Sequence, residues 1–402
     1  MKTKSISQRW LYLIVGVVAM LFAGILYAWS ILKSPFGTEF QWSASDLALN
    51  FTLAMCFFCT GGLLGAQISK RLGHKIAIIA SAVLTALGFV LTATLSDSSV
   101  LMLYLTYGVL AGLGIGISYN VVISTVSAWF PDKKGLCSGC LMMGFGASAL
   151  VLGNLADALF RSDFGWRKTY VLLGIAIGVV LLLAALLLKK PNADTVLPQA
   201  KASKAAASEG KDYTSMQMLR RPAFWMAFVC IAFLAAVGSS VISFAKDLAL
   251  SVEATESLAV TLVGILSVCN GVGRILTGAV FDAVGRKKTM LWANLLTIFA
   301  AGCTLLAVSA GSLPLCIAGL CLTGLSYGAC PTITAAFTSS FYGMKHYSNN
   351  MALMTFNVMG GSFIATFSSQ LLESTGTYTA PFAMLLSLTV VALTLNLCIR
   401  KP

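Results

Sequence analysis

Charge is what this sequence has least of. Only 10% of its 402 residues are Asp, Glu, Lys or Arg, against roughly a quarter in a soluble domain. That scarcity excludes water as the main solvent. Whole stretches carry no charge, Ser99 to Phe130 among them, and about 20 apolar residues suffice to cross a hydrocarbon core of roughly 30 Å. Short alternating segments are also missing, which excludes a transmembrane barrel. The spans must then be helices, because in lipid the backbone has to satisfy its own hydrogen bonds. The first hydrophobic run is too long for a signal peptide and lacks a small-residue cleavage site, so it is read as a span. Metal-ligand spacing is absent from the eleven Cys, which fall almost wholly within apolar runs and read as packing residues. Cys137 and Cys140 form a C-x-x-C, but at the start of a membrane helix rich in Gly and Ser, which is not a redox setting. With no nucleophile, base or metal constellation, neither an enzyme nor a bound cofactor is expected.

What is present is 58% hydrophobic and falls into twelve runs, at approximately 9–33, 45–69, 74–95, 99–130, 134–160, 166–188, 222–246, 255–282, 288–309, 313–341, 347–372 and 378–399. The predicted fold is an all-α membrane protein of twelve transmembrane helices in two six-helix halves, residues 1–188 and 222–402. Between them, residues 189–221 turn polar and rich in Ala, Ser and Lys, a composition suited to a cytoplasmic linker.

The net charge of +13 invites a nucleic-acid reading, but its distribution points elsewhere. With the N-terminus in the cytoplasm, terminal and inward segments hold 21 of the 27 Lys and Arg, and outward segments hold five: Lys33, Arg161, Arg167, Lys168 and Lys246. This is the positive-inside bias of a multi-pass protein with both termini cytoplasmic. The expected partners are a lipid bilayer and a small solute, not nucleic acid, and the expected state is a monomer in the cell membrane of a bacterium.

The halves repeat. Ile117-Ser118-Tyr119 recurs as Leu325-Ser326-Tyr327, Arg71-Leu72-Gly73-His74-Lys75 as Ala283-Val284-Gly285-Arg286-Lys287, and Phe130 as Phe341. Duplication of a six-span unit predicts a transport path where the halves meet. Together with the long central loop, the segment Gly278-x-x-x-Asp282-x-x-Gly285-Arg286-Lys287 resembles the major facilitator superfamily. Within it, three stretches resemble the oxalate/formate antiporters and related monocarboxylate porters: Gly24-Ile-Leu-Tyr27-Ala-Trp29-Ser30, Trp129-Phe130-Pro131-Asp132-Lys133-Lys134-Gly135 leading into Gly144-Phe145-Gly146, and Asn270-Gly-Val-Gly273-Arg274. The first-half loop motif departs from the family pattern, with Lys70 where Asp is usual.

Arg274 is the one full charge expected deep within a span, about 12 Å from the cytoplasmic rim. An unpaired charge there costs at least about 2.5–3.5 kcal/mol, so it calls for a partner or a wet cavity. Asp46 and Asp157 are expected near outer helix ends, out of reach, which leaves a substrate carboxylate as the natural partner for the guanidinium fork. The alternative is that Arg274 ties backbone carbonyls and tyrosines together. Asn270, one turn earlier, shares its face. The resemblance implies Asp at this place in proton-coupled porters; an amide cannot titrate. Tyr119 is expected at similar depth in the first half, Tyr327 is its repeat mate, and Tyr27 holds the tyrosine position of the family motif. Each tyrosine reads equally as packing surface.

Asn357 lies near where dicarboxylate-selective relatives resemble one another in carrying a Lys. One cation neutralises one carboxylate, so a monoanion such as lactate, pyruvate or formate is favoured over oxalate. By resemblance, Asp282 with Arg286 and Lys287, and Asp132 with Lys133, gate the inner mouth. Lys33 and Lys246 are expected at outward helix ends, snorkelling. The resulting expectation is a secondary transporter of a small carboxylate working by alternating access, coupled to a proton or a counter-anion. Alternatives are an oxalate/formate-type exchanger, a drug efflux pump of the same superfamily, and a carboxylate sensor.

Overall fold

The computed structural model describes residues 2–96, 99–132, 134–191, 212–343 and 346–400, and among these all regular structure is helical. Among the described residues, twelve helices are long and apolar enough to cross a membrane. The chain divides into two compact units, Met1–Ala202 and Ser203–Pro402. Spans 1 to 6 belong to the first: Gln8–Glu39, Ala44–Arg71, His74–Thr92, Val100–Ser127, Gly139–Arg161 and Gly165–Leu187. Spans 7 to 12 belong to the second: Pro222–Leu250, Glu256–Phe281, Ala283–Ala310, Leu313–Tyr342, Asn349–Thr375 and Thr379–Cys398.

Short polar residues set several of these ends. Ser43 accepts from the Asp46 N–H at 3.0 Å and Thr255 from the Leu258 N–H at 3.3 Å, each satisfying a donor that the first helical turn leaves open. Gly311 and Gly376, with φ of 60° and 68°, close spans 9 and 11 in the left-handed conformation that glycine enters without a Cβ penalty.

The helices pack where side chains are missing. A Cβ on Gly116 would strike the Phe58 carbonyl, and one on Gly324 the Leu266 carbonyl. A Cβ on Gly65 would lie 3.0 Å from the Ile117 Cα, and one on Gly273 would strike the Leu325 carbonyl. Both pairs of contacts are related by the same offset, so spans 2 and 4 in one unit approach each other as spans 8 and 10 do in the other. Without a hydrophobic driving force between helices in lipid, such backbone-to-backbone contact supplies much of the association.

Three features depart from the sequence reading. Span 1 is not one helix to residue 33: it passes through a tight 3₁₀ segment at Gly24–Ala28 and runs on as short helices to Glu39. The expected loop between spans 8 and 9 is absent, because a single residue, Gly285 at φ 75° and ψ 175°, turns one helix into the next. Lys33 and Lys246 do not snorkel. Each is 6% exposed, because helix continues past both, to Glu39 and to Leu250. Arg274 is therefore not alone as a buried intramembrane cation.

Gly273→Ala forces the new methyl against the Leu325 carbonyl, a backbone atom that cannot swing aside, and should cost about 1–3 kcal/mol. Gly278, also in span 8, has open space at its Cβ position, so Gly278→Ala should match or slightly exceed wild type. Thermal midpoints of the two detergent-solubilised variants decide this; equal midpoints would refute the packing account.

Candidate functional site

In the second unit, span 8 carries a polar stripe: Ser267, Asn270, Arg274 and Thr277, spaced by three, four and three residues. All four are buried, Arg274 to 8% exposure and Asn270 to 1%. That spacing keeps them on one helix face. Arg274 Nε donates to Asn270 Oδ1 at 3.4 Å, so the amide and guanidinium address the same space. The amide nitrogen of Asn270 has no partner among the described residues, and the same holds for the hydroxyls of Ser267 and Thr277. Buried donors without acceptors cost about 1–3 kcal/mol each, and a cluster of them calls for an occupant. Arg274 lies about 8 Å from the middle of span 8, toward its Phe281 end.

Span 10 is the floor of this stripe. A Cβ on Gly328 would meet the Asn270 carbonyl, so the backbones touch where the stripe is most polar. Pro331 interrupts span 10 one turn on; lacking an N–H, it cannot serve the Tyr327 carbonyl. Beyond it, the Thr332 hydroxyl donates to the Arg274 carbonyl at 3.4 Å. Tyr327 is 4% exposed, and its ring fills the space over Gly238 of span 7. Asn357 is fully buried at the break between Tyr347–Thr355 and Asn357–Thr375. Its Nδ2 donates to Thr334 Oγ1 at 3.2 Å and to the Met354 carbonyl at 2.7 Å, which ties span 11 to span 10, while its Oδ1 has no partner among the described residues.

In the first unit the tyrosines are brought together through one phenylalanine. Phe145 takes Tyr27 at 5.1 Å and Tyr119 at 5.1 Å between ring centres, both edge-on. Phe58 adds a further contact to Tyr119 at 5.0 Å. The Gly24 backbone lies against the Phe145 carbonyl, so the motifs of spans 1 and 5 meet here. Tyr27 sits within the 3₁₀ segment and is 6% exposed; Tyr119 is half-buried. The repeat places Gly62 and Ala66 where the second unit has Asn270 and Arg274. At these repeat-related positions the first unit has no polar side chain, and its Tyr27 and Tyr119 gather about Phe145 instead.

Three of the expected gate residues, Asp132, Arg286 and Lys287, have described side chains. Asp132 pairs with Arg9 of its own unit at 2.9 Å, with side chains 16% and 7% exposed, and the Arg9 guanidinium also stands 5.0 Å from the Phe130 ring centre. Arg286 lies over the Phe341 ring at 4.1 Å, and Lys287 is exposed. Lys133 and the side chain of Asp282 lie outside the described residues. Asp157 is buried at 8% exposure and accepts from Arg161 Nε at 2.7 Å.

Ser267, Thr277, Phe58 and Phe145 were not singled out from sequence as site residues. The first two were findable from their helical spacing about Asn270 and Arg274. The aromatic pair gave no signal distinguishable from ordinary packing.

The twelve-span, two-unit fold is that of a membrane transporter, and comparison with known proteins agrees. A model of the Major Facilitator Superfamily matches residues 11–366 and, again, 228–401. The chain belongs to the major facilitator superfamily, whose members are multi-pass membrane transporters. It is 29% identical over 294 residues to the oxalate:formate antiporter of Oxalobacter formigenes, covering 72% of this chain and 67% of that protein. To human monocarboxylate transporter 12 it is 26% identical over 385 residues, covering 88% of this chain and 73% of the relative. Among solved structures, a D-xylose-proton symporter superposes with a TM-score of 0.69 at 16% identity, over 100% of this chain and 99% of that one; at that identity the match speaks for the fold.

Breaking the Arg9–Asp132 pair from one side strands a mostly buried charge. Asp132→Asn should therefore destabilise the first unit by about 3 kcal/mol, whereas the double change Arg9→Met with Asp132→Leu should recover most of the loss. A thermal-midpoint cycle measures this, and additive losses would count against it.

Proposed function

We propose that the chain is a secondary active transporter of a small monocarboxylate, such as lactate, pyruvate or formate, working by alternating access in the cell membrane with both termini cytoplasmic. The observation that carries this reading is the buried stripe on span 8, where a guanidinium and an amide N–H without an acceptor lie one helical turn apart. A carboxylate is the ligand whose two oxygens accept from both. Arg supplies parallel donors in a fixed fork, which Lys does not. The site's local charge is a single positive one, with Asn270 and Asn357 where further ionisable groups would change its preference. The names of two superfamily relatives refer to carboxylates, oxalate with formate in one and monocarboxylates in the other.

An oxalate/formate-type exchange is the second reading, and the 29% identity to the oxalate:formate antiporter of Oxalobacter formigenes is the observation that favours it. Counterflow of labelled formate, lactate, pyruvate and oxalate in proteoliposomes separates the two.

Arg274→Lys should insert normally and lose at least about tenfold in carboxylate counterflow, the worth of a charged hydrogen bond. Wild-type rates in that variant would sink the proposal, and drug export unaffected by Arg274→Ala would replace it with an efflux pump. Asn270→Asp introduces a titratable rival for Arg274. Ionised at high pH, it competes with the substrate; protonated at low pH, it releases the guanidinium. Counterflow by this variant should rise as pH falls, more steeply than in wild type, and parallel pH profiles would contradict the assigned contact.

A further inference from the structure

The expected outward segments carry five cations, and the structure accounts for four of them. Lys33 and Lys246 are buried, Arg161 pairs with Asp157, and Arg167 pairs with Glu39 at 2.7 Å, donates to the Leu95 carbonyl at 3.1 Å and stacks 4.3 Å from the Trp166 ring centre. Lys168 is the remainder. It is exposed, forms no ion pair among the described residues, and stands 5.9 Å from the Phe164 ring centre.

Lys168 and Arg167 rim a groove of about 410 Å³ at the same end of spans 3 and 6. Its walls are apolar: Phe164, Leu172 and Ile175 line it, and all three are exposed. From Lys168 to Ile175 the groove follows the helix for about 10 Å, roughly two thirds of one leaflet's share of a hydrocarbon core of about 30 Å. A water-soluble anion needs the rim but not these walls. A zwitterionic lipid would bring a further positive charge to a rim that already carries Arg167 and Lys168.

We propose that this groove binds one anionic phospholipid, its phosphate held by Lys168 and Arg167 and an acyl chain lying along Leu172 and Ile175. The charge and the apolar wall then serve the same ligand, and a basic cluster on the face where the positive-inside pattern disfavours one gains a reason. The lipid would brace spans 3 and 6 at the end where Arg167 already latches the Glu39 end of span 1. This inference rests on the membrane fold alone and is independent of the transported substrate.

The test uses the full chain reconstituted in phosphatidylcholine vesicles containing brominated phosphatidylglycerol or, separately, brominated phosphatidylcholine. Bromine quenches nearby indoles, and the Trp166 signal is the difference between wild type and Trp166→Phe. The expected result is a preference of about fivefold for the brominated phosphatidylglycerol, falling toward unity in Lys168→Gln. Equal quenching by the two lipids, or a preference that survives Lys168→Gln, would overturn the assignment. Should Trp166→Phe not fold, headgroup analysis of co-purified lipid decides instead. Phosphatidylglycerol enriched over the source membrane in wild type but not in Lys168→Gln supports the site, and identical lipid profiles refute it.

Discussion

The closest approaches in each unit are between backbones, and they decide what the side chains nearby can do. Gly273 and Gly324 let spans 8 and 10 touch at carbonyl level, and Gly328 brings the same contact to Asn270. With span 10 pressed so near, the stripe from Ser267 to Thr277 is buried, and the Asn270 amide and the Ser267 and Thr277 hydroxyls find no partner among the described residues. A larger residue at any of these glycines would open the pair and let water or side chains quench the unsatisfied amide. Tight packing and binding capacity are, in this unit, one property seen from two sides.

The first unit has the same framework with different contents. Its Gly65 and Gly116 repeat the approach of Gly273 and Gly324, yet the positions matching Asn270 and Arg274 hold Gly62 and Ala66. Duplication preserved the contacts that position the helices and left the chemistry free to diverge. The tyrosines follow this division. Tyr327 is enclosed over Gly238, while Tyr119 remains half-open beside Phe145, so repeat-related residues need not share a task.

The membrane fold was legible because its cause is simple: apolar length forces helices, and their ends fall near the expected residues. Arg274 and Asn270 were also legible, since a charge in an apolar run is conspicuous. The broken course of span 1 was not, because its 3₁₀ segment reads as apolar as its neighbours and depends on Gly24 meeting Phe145 from span 5. Nor was the burial of Lys33 and Lys246. Each sits near an end of an apolar run, and whether helix covers it is settled by residues beyond, Pro35 to Glu39 in one case and Asp247 to Leu250 in the other. The partner of Asp132 was hidden for a similar reason: Arg9 is 123 residues away, and no local pattern links them.

Gly285 gives the second unit a mechanical character. Where a flexible connection would let spans 8 and 9 settle separately, one left-handed residue joins two rigid rods as a knuckle joins two bones. Tilt of the rod bearing Arg274 cannot be absorbed by slack chain and has to appear as torque on the other. Span 9 makes no entry in the polar stripe, yet it would feel each change in the angle of the helix that does.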